Sequence, residues 1–317
     1  MKNEAIYAVL IAFFLNIVIS PFAIPLLHKL KFGQNVRDDG PNSHLKKAGT
    51  PTMGGIIILA SIIITTLFFL VGNREVQTVL FVVVGFGLIG FLDDYIKVVK
   101  KRSLGLTATQ KIIAQLIVTT VFAYLLSNYV GLDTAIIIPF TGGMTWDMGL
   151  LFWPFLVFVV LAVVNAVNLT DGVDGLASSV TVLVATFFAA VAMSIQSEAV
   201  AIAAATVGSL LGFLLFNSYP AKVFMGDTGS LALGGFVAAI AFILKMPLFI
   251  LIVGIIYVVE NVSVILQVAY FKKTKKRLFR MAPIHHHFEL GGWPETKVVT
   301  IFSIITAIMC LIGLVAL

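Results

Sequence analysis

The sequence predicts an all-α polytopic membrane protein with ten transmembrane helices. Three observations support this fold class: 60% of the 317 residues are hydrophobic, only 11% are charged, and the mean hydropathy is +1.07. The hydrophobic core of a bilayer is about 30 Å thick and needs about 20 apolar residues per helix. Apolar runs of this length recur along the chain, while the short alternating segments typical of a transmembrane barrel are absent from the sequence.

Ten apolar segments are predicted to cross the membrane. No linker, low-complexity tract or clear internal repeat divides the sequence, which favours a single integral-membrane domain over residues 1–317. The first segment has no small-residue cleavage pattern behind its apolar run, so we expect it to be retained as a helix. The approximate bounds of the ten segments are 4–27, 54–71, 76–92, 108–127, 150–167, 175–195, 199–216, 230–245, 247–270 and 298–317.

The distribution of basic residues predicts the orientation of the bundle. The loops 28–53, 93–111, 217–229 and 271–297 carry 5, 5, 1 and 7 Lys and Arg residues, which is 18 of the 21 in the chain. The positive-inside rule places these loops in the cytoplasm, and ten spans then leave both termini outside. Because the basic residues flank spans, the net charge of +6 indicates contact with membrane lipid, and we expect no nucleic acid partner.

The longest loop on the predicted outer side, residues 128–149, is expected to form a short hairpin. Two apolar stretches, Ile136–Ile138 and Met144–Trp146, are joined through Thr141-Gly142-Gly143. Trp146 suits the membrane interface, where its role would be anchoring.

Five Asp residues are predicted to meet at the cytoplasmic face. Asp93 and Asp94 close the third span, Asp171 and Asp174 separate spans five and six, and Asp227 precedes span eight. Carboxylates gathered at a membrane face are costly unless they bind cations or take part in chemistry. Simpler alternatives stay open: pairing with the following Lys residues for the first two, and N-capping of the next helix for Asp171, Asp174 or Asp227.

The neighbouring loops add groups that suit an anionic ligand. Asn217 and Phe224 lie in the segment before Asp227, where the start of a helix favours phosphate. His285, His286 and His287 are consecutive and lack the ligand spacing of a zinc site, so they either face an anionic substrate or are incidental surface residues.

One polar pair lies inside a predicted span. Glu260 and Asn261 are near the middle of the ninth segment, where they mark either a bend or a buried polar pair.

Together these residues indicate metal-dependent chemistry on a phosphorylated, lipid-linked substrate. Carboxylate oxygens are hard ligands that suit Mg²⁺, which is commonly bound by one or two carboxylates together with substrate phosphates. The sequence contains no Walker or kinase motif set. A transporter of lipid or nucleotide is the alternative from another class, but transport sites usually lie near the membrane midplane rather than at helix ends.

The chain resembles the polyprenyl-phosphate N-acetylhexosamine-1-phosphate transferase superfamily over nearly its whole length. The resemblance rests on the Asp93-Asp94 pair and on the segments 168–175 and 224–229. Two further segments, 283–295 and 51–55, are similar to those of the members that use UDP-MurNAc-pentapeptide as donor.

The resemblance implies an enzyme of peptidoglycan synthesis in the bacterial plasma membrane, with a cytoplasmic active site and Mg²⁺ as cofactor. Its substrates would be UDP-MurNAc-pentapeptide and undecaprenyl phosphate, and its products lipid I and UMP. A superfamily member that uses UDP-GlcNAc is the alternative enzyme. The sequence does not fix the oligomeric state, and a homodimer is one of the states it allows.

The resemblance also implies roles for single residues. Asp227 would be the Mg²⁺ ligand. Asp93 would activate or orient the lipid phosphate with support from Asp94, and His285 or His286 would contact the diphosphate. The further substrate-binding residues would be Lys46, Thr50, Lys111, Asn168, Asp171, Asp174, Asn217, Phe224 and His287.

Overall fold

The fold is a bundle of apolar helices. The computed structural model describes residues 2–29, 49–69, 71–99 and 105–317. Its helices are α1 Lys2–Lys29, α2 Gly55–Leu67, α3 Arg74–Val99, α4 Ala108–Tyr124, α5 Phe152–Thr170, α6 Leu176–Ser194, α7 Val200–Asn217, α8 Gly226–Ile243, α9 Ile250–Val253, α10 Ile255–Thr274, α11 Ile284–Glu289 and α12 Glu295–Val315. Its strands are β1 Ala135–Ile137 and β2 Thr145–Asp147.

The predicted helical membrane bundle is confirmed. In the described part of the chain, nine helices are long and apolar enough to cross a membrane. The second predicted segment contains α2, whose 13 residues extend only about 20 Å at a rise of 1.5 Å per residue. Since this is shorter than a bilayer core, the count of ten spans and the outside location of both termini stay predictions.

The centre of the bundle is α8, whose side chains from Thr228 to Ile243 are all buried. It packs against α3 on one side and α5 on another, while α7 packs against α1 and α6. At one end of the bundle α3, α5 and α7 finish and α4, α6 and α8 begin, and we call this the site end. The topology therefore delivers the ends of six helices to one region.

The ninth predicted span, 247–270, is interrupted. A short 3-10 turn over Pro247–Phe249 leads into α9, and Gly254 separates α9 from α10. The hypothesis that Glu260-Asn261 marks a bend is wrong, because Glu260 lies inside the regular helix α10, six residues beyond the break. Of the buried polar pair that was the alternative, Glu260 is fully buried and Asn261 is half-buried.

The predicted hairpin is confirmed, while its location on the outer side of the membrane stays a prediction. Strands β1 and β2 are antiparallel, with Ile136 opposite Trp146. The backbone N–H of Ile137 donates to the carbonyl of Lys245 (2.7 Å), which ties the hairpin to the residues that follow α8. Because α8 begins at the site end, the hairpin covers the opposite end of the bundle.

The two ends of the bundle provide a direct test of orientation. In a Cys310→Ser background, Met144→Cys in the hairpin and Leu290→Cys at the site end introduce thiols at positions that are 66% and 44% exposed. From the bias of basic residues we expect a membrane-impermeant maleimide to label Met144→Cys in intact protoplasts. Leu290→Cys should react only after permeabilisation, and labelling of that variant in intact protoplasts would refute the predicted orientation.

Candidate active site

The site end brings together carboxylates from two helices. One oxygen each from Asp93, Asp94 and Asp227 lies within 4.8 Å of the other two, so the predicted meeting of α3 with the start of α8 is observed. Asp93 and Asp94 are 2% and 4% exposed. The prediction that this pair closes its span is wrong, because α3 continues to Val99 and the pair lies inside the helix.

Two glycines allow the helices to approach this closely. A Cβ at Gly90 of α3 would lie 2.0 Å from the backbone oxygen of Asp227, and a Cβ at Gly55 of α2 would lie 2.1 Å from the backbone nitrogen of Gly229. Both contacts are with backbone atoms, which cannot move aside as a flexible side chain can. Side chains at these two positions would therefore push α2 and α3 away from the start of α8.

Asp94 serves as the cap of α8. Its Oδ1 accepts from the backbone N–H of Asp227 (3.1 Å), and its Oδ2 accepts from the backbone N–H (2.9 Å) and the hydroxyl (2.7 Å) of Thr228. The first N–H groups of a helix have no partner within the helix and favour a negative charge. The alternative in which Asp227 caps this helix is wrong, since Asp227 lies in its first turn.

Asp93 shares the carboxylate cluster with Asp94 and Asp227 but has hydrogen-bond partners different from those of Asp94. Its Oδ1 accepts from the backbone N–H of Leu106 (2.8 Å), and its Oδ2 lies 2.5 Å from the Lys97 ammonium. Lys97 follows Asp93 by one helical turn, a spacing that brings opposite charges together. Asp93 and Asp94 thus have separate partners and separate environments.

Asp227 is the centre of a charged network. Its Oδ2 accepts from the ammonium groups of Lys97 and Lys111, each at 2.9 Å, and its Oδ1 accepts from the Asn168 amide at 2.9 Å. Asn168 also donates to the hydroxyl of Ser230 (2.8 Å). Lys111 and Asn168 were predicted site residues, whereas Lys97 was not, although its spacing from Asp93 was a usable signal.

The turn between α5 and α6 holds two more carboxylates. Asp174 accepts from the backbone N–H of Ala221 (2.9 Å), so it anchors the loop before α8. Neither Asp caps α6, whose N-cap is Gly175, and that alternative is therefore wrong. Desolvation and the negative charges of Asp227, Asp94 and Asp174 raise the pKa of the Asp171 carboxyl well above its ordinary value, against the opposing backbone N–H of Gly226.

The loop before α8 is held from two sides. The Asn217 amide donates to the carbonyl of Val223 (3.0 Å) and accepts from the hydroxyl of Ser178 (2.9 Å), so both of its polar atoms are bonded inside the protein. The backbone of Phe224 donates to the carbonyl of Pro51 (2.8 Å) and accepts from Gly54 (2.8 Å). The Phe224 side chain is half-buried, and a nucleoside contact of Asn217 or Phe224 stays a prediction.

Two predicted binders precede α2 in the sequence. Thr50 is half-buried and directly precedes Pro51. Lys46 lies outside the described residues.

The three consecutive His residues have three different environments. His285 is fully buried, with Nδ1 at 3.0 Å from Glu260 Oε2. His286 pairs with Glu289 at 2.7 Å, and His287 Nδ1 accepts from the backbone N–H of Arg280 (3.1 Å). Oxygen or nitrogen atoms of His285, His286 and Glu289 also lie within 4.8 Å of one another, a grouping that the spacing of the His residues did not indicate.

The carboxylate cluster fits a divalent cation. Asp93, Asp94 and Asp227 offer oxygen ligands of the type that Mg²⁺ prefers, within the separation that one ion can bridge. Lys97 and Lys111 offset only part of the charge of the five Asp residues around them. Desolvation is the main cause of the raised pKa of Asp171, and the negative charges of Asp227, Asp94 and Asp174 add to it.

Comparison with known proteins identifies similar chains. Residues 76–245 match the profile of glycosyl transferase family 4, and residues 47–59 match a phospho-N-acetylmuramoyl-pentapeptide-transferase signature. The chain is 54% identical to the phospho-N-acetylmuramoyl-pentapeptide-transferase of Clostridium kluyveri and 55% identical to that of Clostridium perfringens strain 13, with 99% of both chains covered in each case. It is 55% identical to that of Clostridium botulinum strain Alaska E43, over 100% of this chain and 98% of the relative.

The capping arrangement predicts a difference in stability between two adjacent variants. Asp94→Ala leaves three donors at the start of α8 without their acceptor, and we expect it to cost about 2 kcal/mol of stability. Asp93→Ala is the matched control, because it removes the side-chain acceptor of one backbone N–H, that of Leu106, and leaves Lys97 bonded to Asp227. Thermal unfolding of both purified variants in detergent measures the difference, and an equal or larger loss for Asp93→Ala would contradict the capping role.

Proposed function

Since the chain belongs to glycosyl transferase family 4 and, within it, to the phospho-N-acetylmuramoyl-pentapeptide-transferases, we propose that it transfers phospho-MurNAc-pentapeptide from UDP-MurNAc-pentapeptide to undecaprenyl phosphate. The products are lipid I and UMP, and the reaction is a membrane step of peptidoglycan synthesis. One observation carries the proposal: in a chain of this family, Asp93, Asp94 and Asp227 meet beside two Lys residues at one end of the bundle.

The proposed reaction exchanges one phosphorus–oxygen bond for another. An oxygen of the lipid phosphate attacks the phosphorus atom that is linked to the sugar. The bond from that phosphorus to the bridging oxygen breaks, and UMP leaves with that oxygen. The sugar then remains attached to the lipid through a diphosphate.

The nucleophile needs no strong base. The second pKa of a phosphate monoester is near ~6, so the lipid phosphate is largely ionised at neutral pH. Asp93 already accepts from Leu106 and contacts Lys97, which suits an orienting role better than proton removal. We favour direct transfer over a covalent aspartyl intermediate, because positioning and charge neutralisation provide most of the catalysis in phosphoryl transfer.

In this proposal, a bound cation and the ammonium groups of the chain itself neutralise the charge of the substrates. Asp227, with Asp93 and Asp94 beside it, would hold Mg²⁺, which when bound withdraws charge from phosphate oxygens. Lys97 and Lys111 present positive charge at the same oxygen of Asp227, where two anionic substrates have to approach each other. Asn168 fixes the other Asp227 oxygen and thereby sets the direction of the carboxylate.

The donor is assigned to the surface around the carboxylates. Phe224 is half-buried and lies three residues before Asp227 in the sequence, and the Asp171 carboxyl senses the charge of Asp227, which suits a nucleoside beside its diphosphate. His286 and His287 lie on the same loop as His285 and are each half-buried. A soluble nucleotide donor requires this end of the bundle to face the cytoplasm of a bacterial plasma membrane, and the excess of Lys and Arg in the loops at this end supports that orientation.

Removal of the cation or of its central ligand is expected to stop turnover. EDTA should abolish UMP release by the purified protein, and added Mg²⁺ should restore it. Asp227→Asn should lower kcat at least ~10²-fold, since one charge is lost from a site built on neutralisation.

Asp133→Asn is the matched control for this variant, because Asp133 is an exposed carboxylate paired with Lys245 at the opposite end of the bundle. It should retain full activity. Near-normal activity of Asp227→Asn at limiting Mg²⁺ would refute the assignment of Asp227 as a ligand.

A competition between donors tests the substrate. With undecaprenyl phosphate and Mg²⁺, we expect kcat/KM for UDP-MurNAc-pentapeptide to exceed that for UDP-GlcNAc at least ~10²-fold, a difference of about 2.7 kcal/mol. The basic loop before the His residues suits a donor whose peptide adds carboxylates to the diphosphate. A preference for UDP-GlcNAc would support the related transferase instead, and release of UMP from neither donor would refute the transferase function.

A further inference from the structure

A carboxylate in the middle of α10 is bonded to the first His of α11. Glu260 and His285 are both fully buried, and Glu260 Oε2 lies 3.0 Å from His285 Nδ1. A carboxylate inside a membrane-spanning helix is expensive unless a partner compensates it. His285 is that partner, although 25 residues separate the two in the sequence.

The other nitrogen of His285 is directed at the turn between α5 and α6. A Cβ at Gly172 would lie 2.1 Å from His285 Nε2, so only glycine allows the ring to come this close to the turn. Gly172 lies between Asp171 and Asp174 in that turn. Within the described residues, Nε2 is buried and has no hydrogen-bond partner.

We propose that Glu260 is a positioning residue of the transferase, acting through His285; this rests on the proposed function. An ionised carboxylate can only accept, so Glu260 requires the proton of the imidazole to be on Nδ1. This fixes the ring orientation and the tautomer, with Nε2 presented at the Asp171–Asp174 turn, as second partners of ligating His residues do in metal sites. In the imidazolium form both ring nitrogens are donors, so Nε2 can donate to a diphosphate oxygen while the Glu260 carboxylate accepts from Nδ1.

The orientation of the Glu260–His285 pair distinguishes it from an incidental buried pair. The Glu260 end faces the interior of the bundle, while the His285 end faces the same turn whose Asp171 carboxyl senses the charges of Asp227 and Asp94. The His285 ring also contacts the His286 ring, with centroids 4.1 Å apart and planes tilted by 58°. A change at Glu260 therefore reaches the candidate substrate surface through one side chain.

Variants of Glu260 separate a charge role from a packing role. Glu260→Gln preserves the volume but removes the negative charge, and we expect kcat for UMP release to fall about 10-fold with little change in the KM of the donor. Glu260→Asp keeps the charge and should retain more activity than Glu260→Gln. A residue needed only for packing would give the reverse order, and that order would overturn the proposal.

A double-mutant cycle tests whether the effect passes through His285. His285→Ala should lower kcat about 10²-fold, and adding Glu260→Gln in that background should cause no further loss. Glu75→Gln is the matched control: this carboxylate accepts from the backbone N–H of Ala199 (3.0 Å) at the opposite end of the bundle and should leave activity unchanged. Losses that multiply in the double variant, or a fully active Glu260→Gln, would refute the coupling, whereas an inactive parent protein would refute the proposed function itself.

Discussion

Negative charge removed from water at the end of a membrane bundle must be compensated, and the architecture of the site end follows from this requirement. Asp94 is compensated by the start of α8, Asp93 by Leu106 and Lys97, and Asp227 by two Lys residues and Asn168. The donors lie on α3, α4, α5 and α8 and, in the case of Leu106, on the segment just before α4. The helices are consequently tied to one another through the carboxylates, and the site cannot be separated from the packing of the bundle.

This compensation depends on close backbone contact. The donors at the start of α8 reach Asp94 only because Gly90 and Gly55 allow α3 and α2 to lie against the first turn of α8. The Pro51 and Phe224 backbones then join the segment before α2 to the loop before α8. Residues 51–55 and 224–229, two of the segments on which the family resemblance rests, therefore lie next to each other. Small residues are a general means of close helix packing in membranes, and here they also place charge.

The sequence predicted the helical bundle, the outer hairpin and the meeting of the acidic segments, because apolar length and alternation across a bilayer determine them. The predictions were wrong where a residue from a distant part of the chain determines the local structure. The sequence made Asp227 a candidate N-cap of α8, yet Asp227 lies in the first turn and Asp94 from α3 supplies the cap. The break before α10 lies at Gly254 rather than at Glu260. Glu260 is paired with His285 and lies inside a regular helix, so the chain does not bend there. Long-range pairs of this kind have no signature in local spacing.

Asp94 and Glu260 show two outcomes of burying a carboxylate in the same bundle. Asp94 accepts hydrogen bonds from the backbone and the hydroxyl of Thr228 in the first turn of α8, so this carboxylate stabilises the fold. The charge of Glu260 is used by an imidazole, which has a second nitrogen and can pass the effect on to the Asp171–Asp174 turn. A carboxylate that caps a helix acts on backbone donors alone. A carboxylate paired with His also affects what the second imidazole nitrogen can contact. Glu260 can therefore influence chemistry at a surface that it does not touch, while the contribution of Asp94 is to hold Asp227 in place.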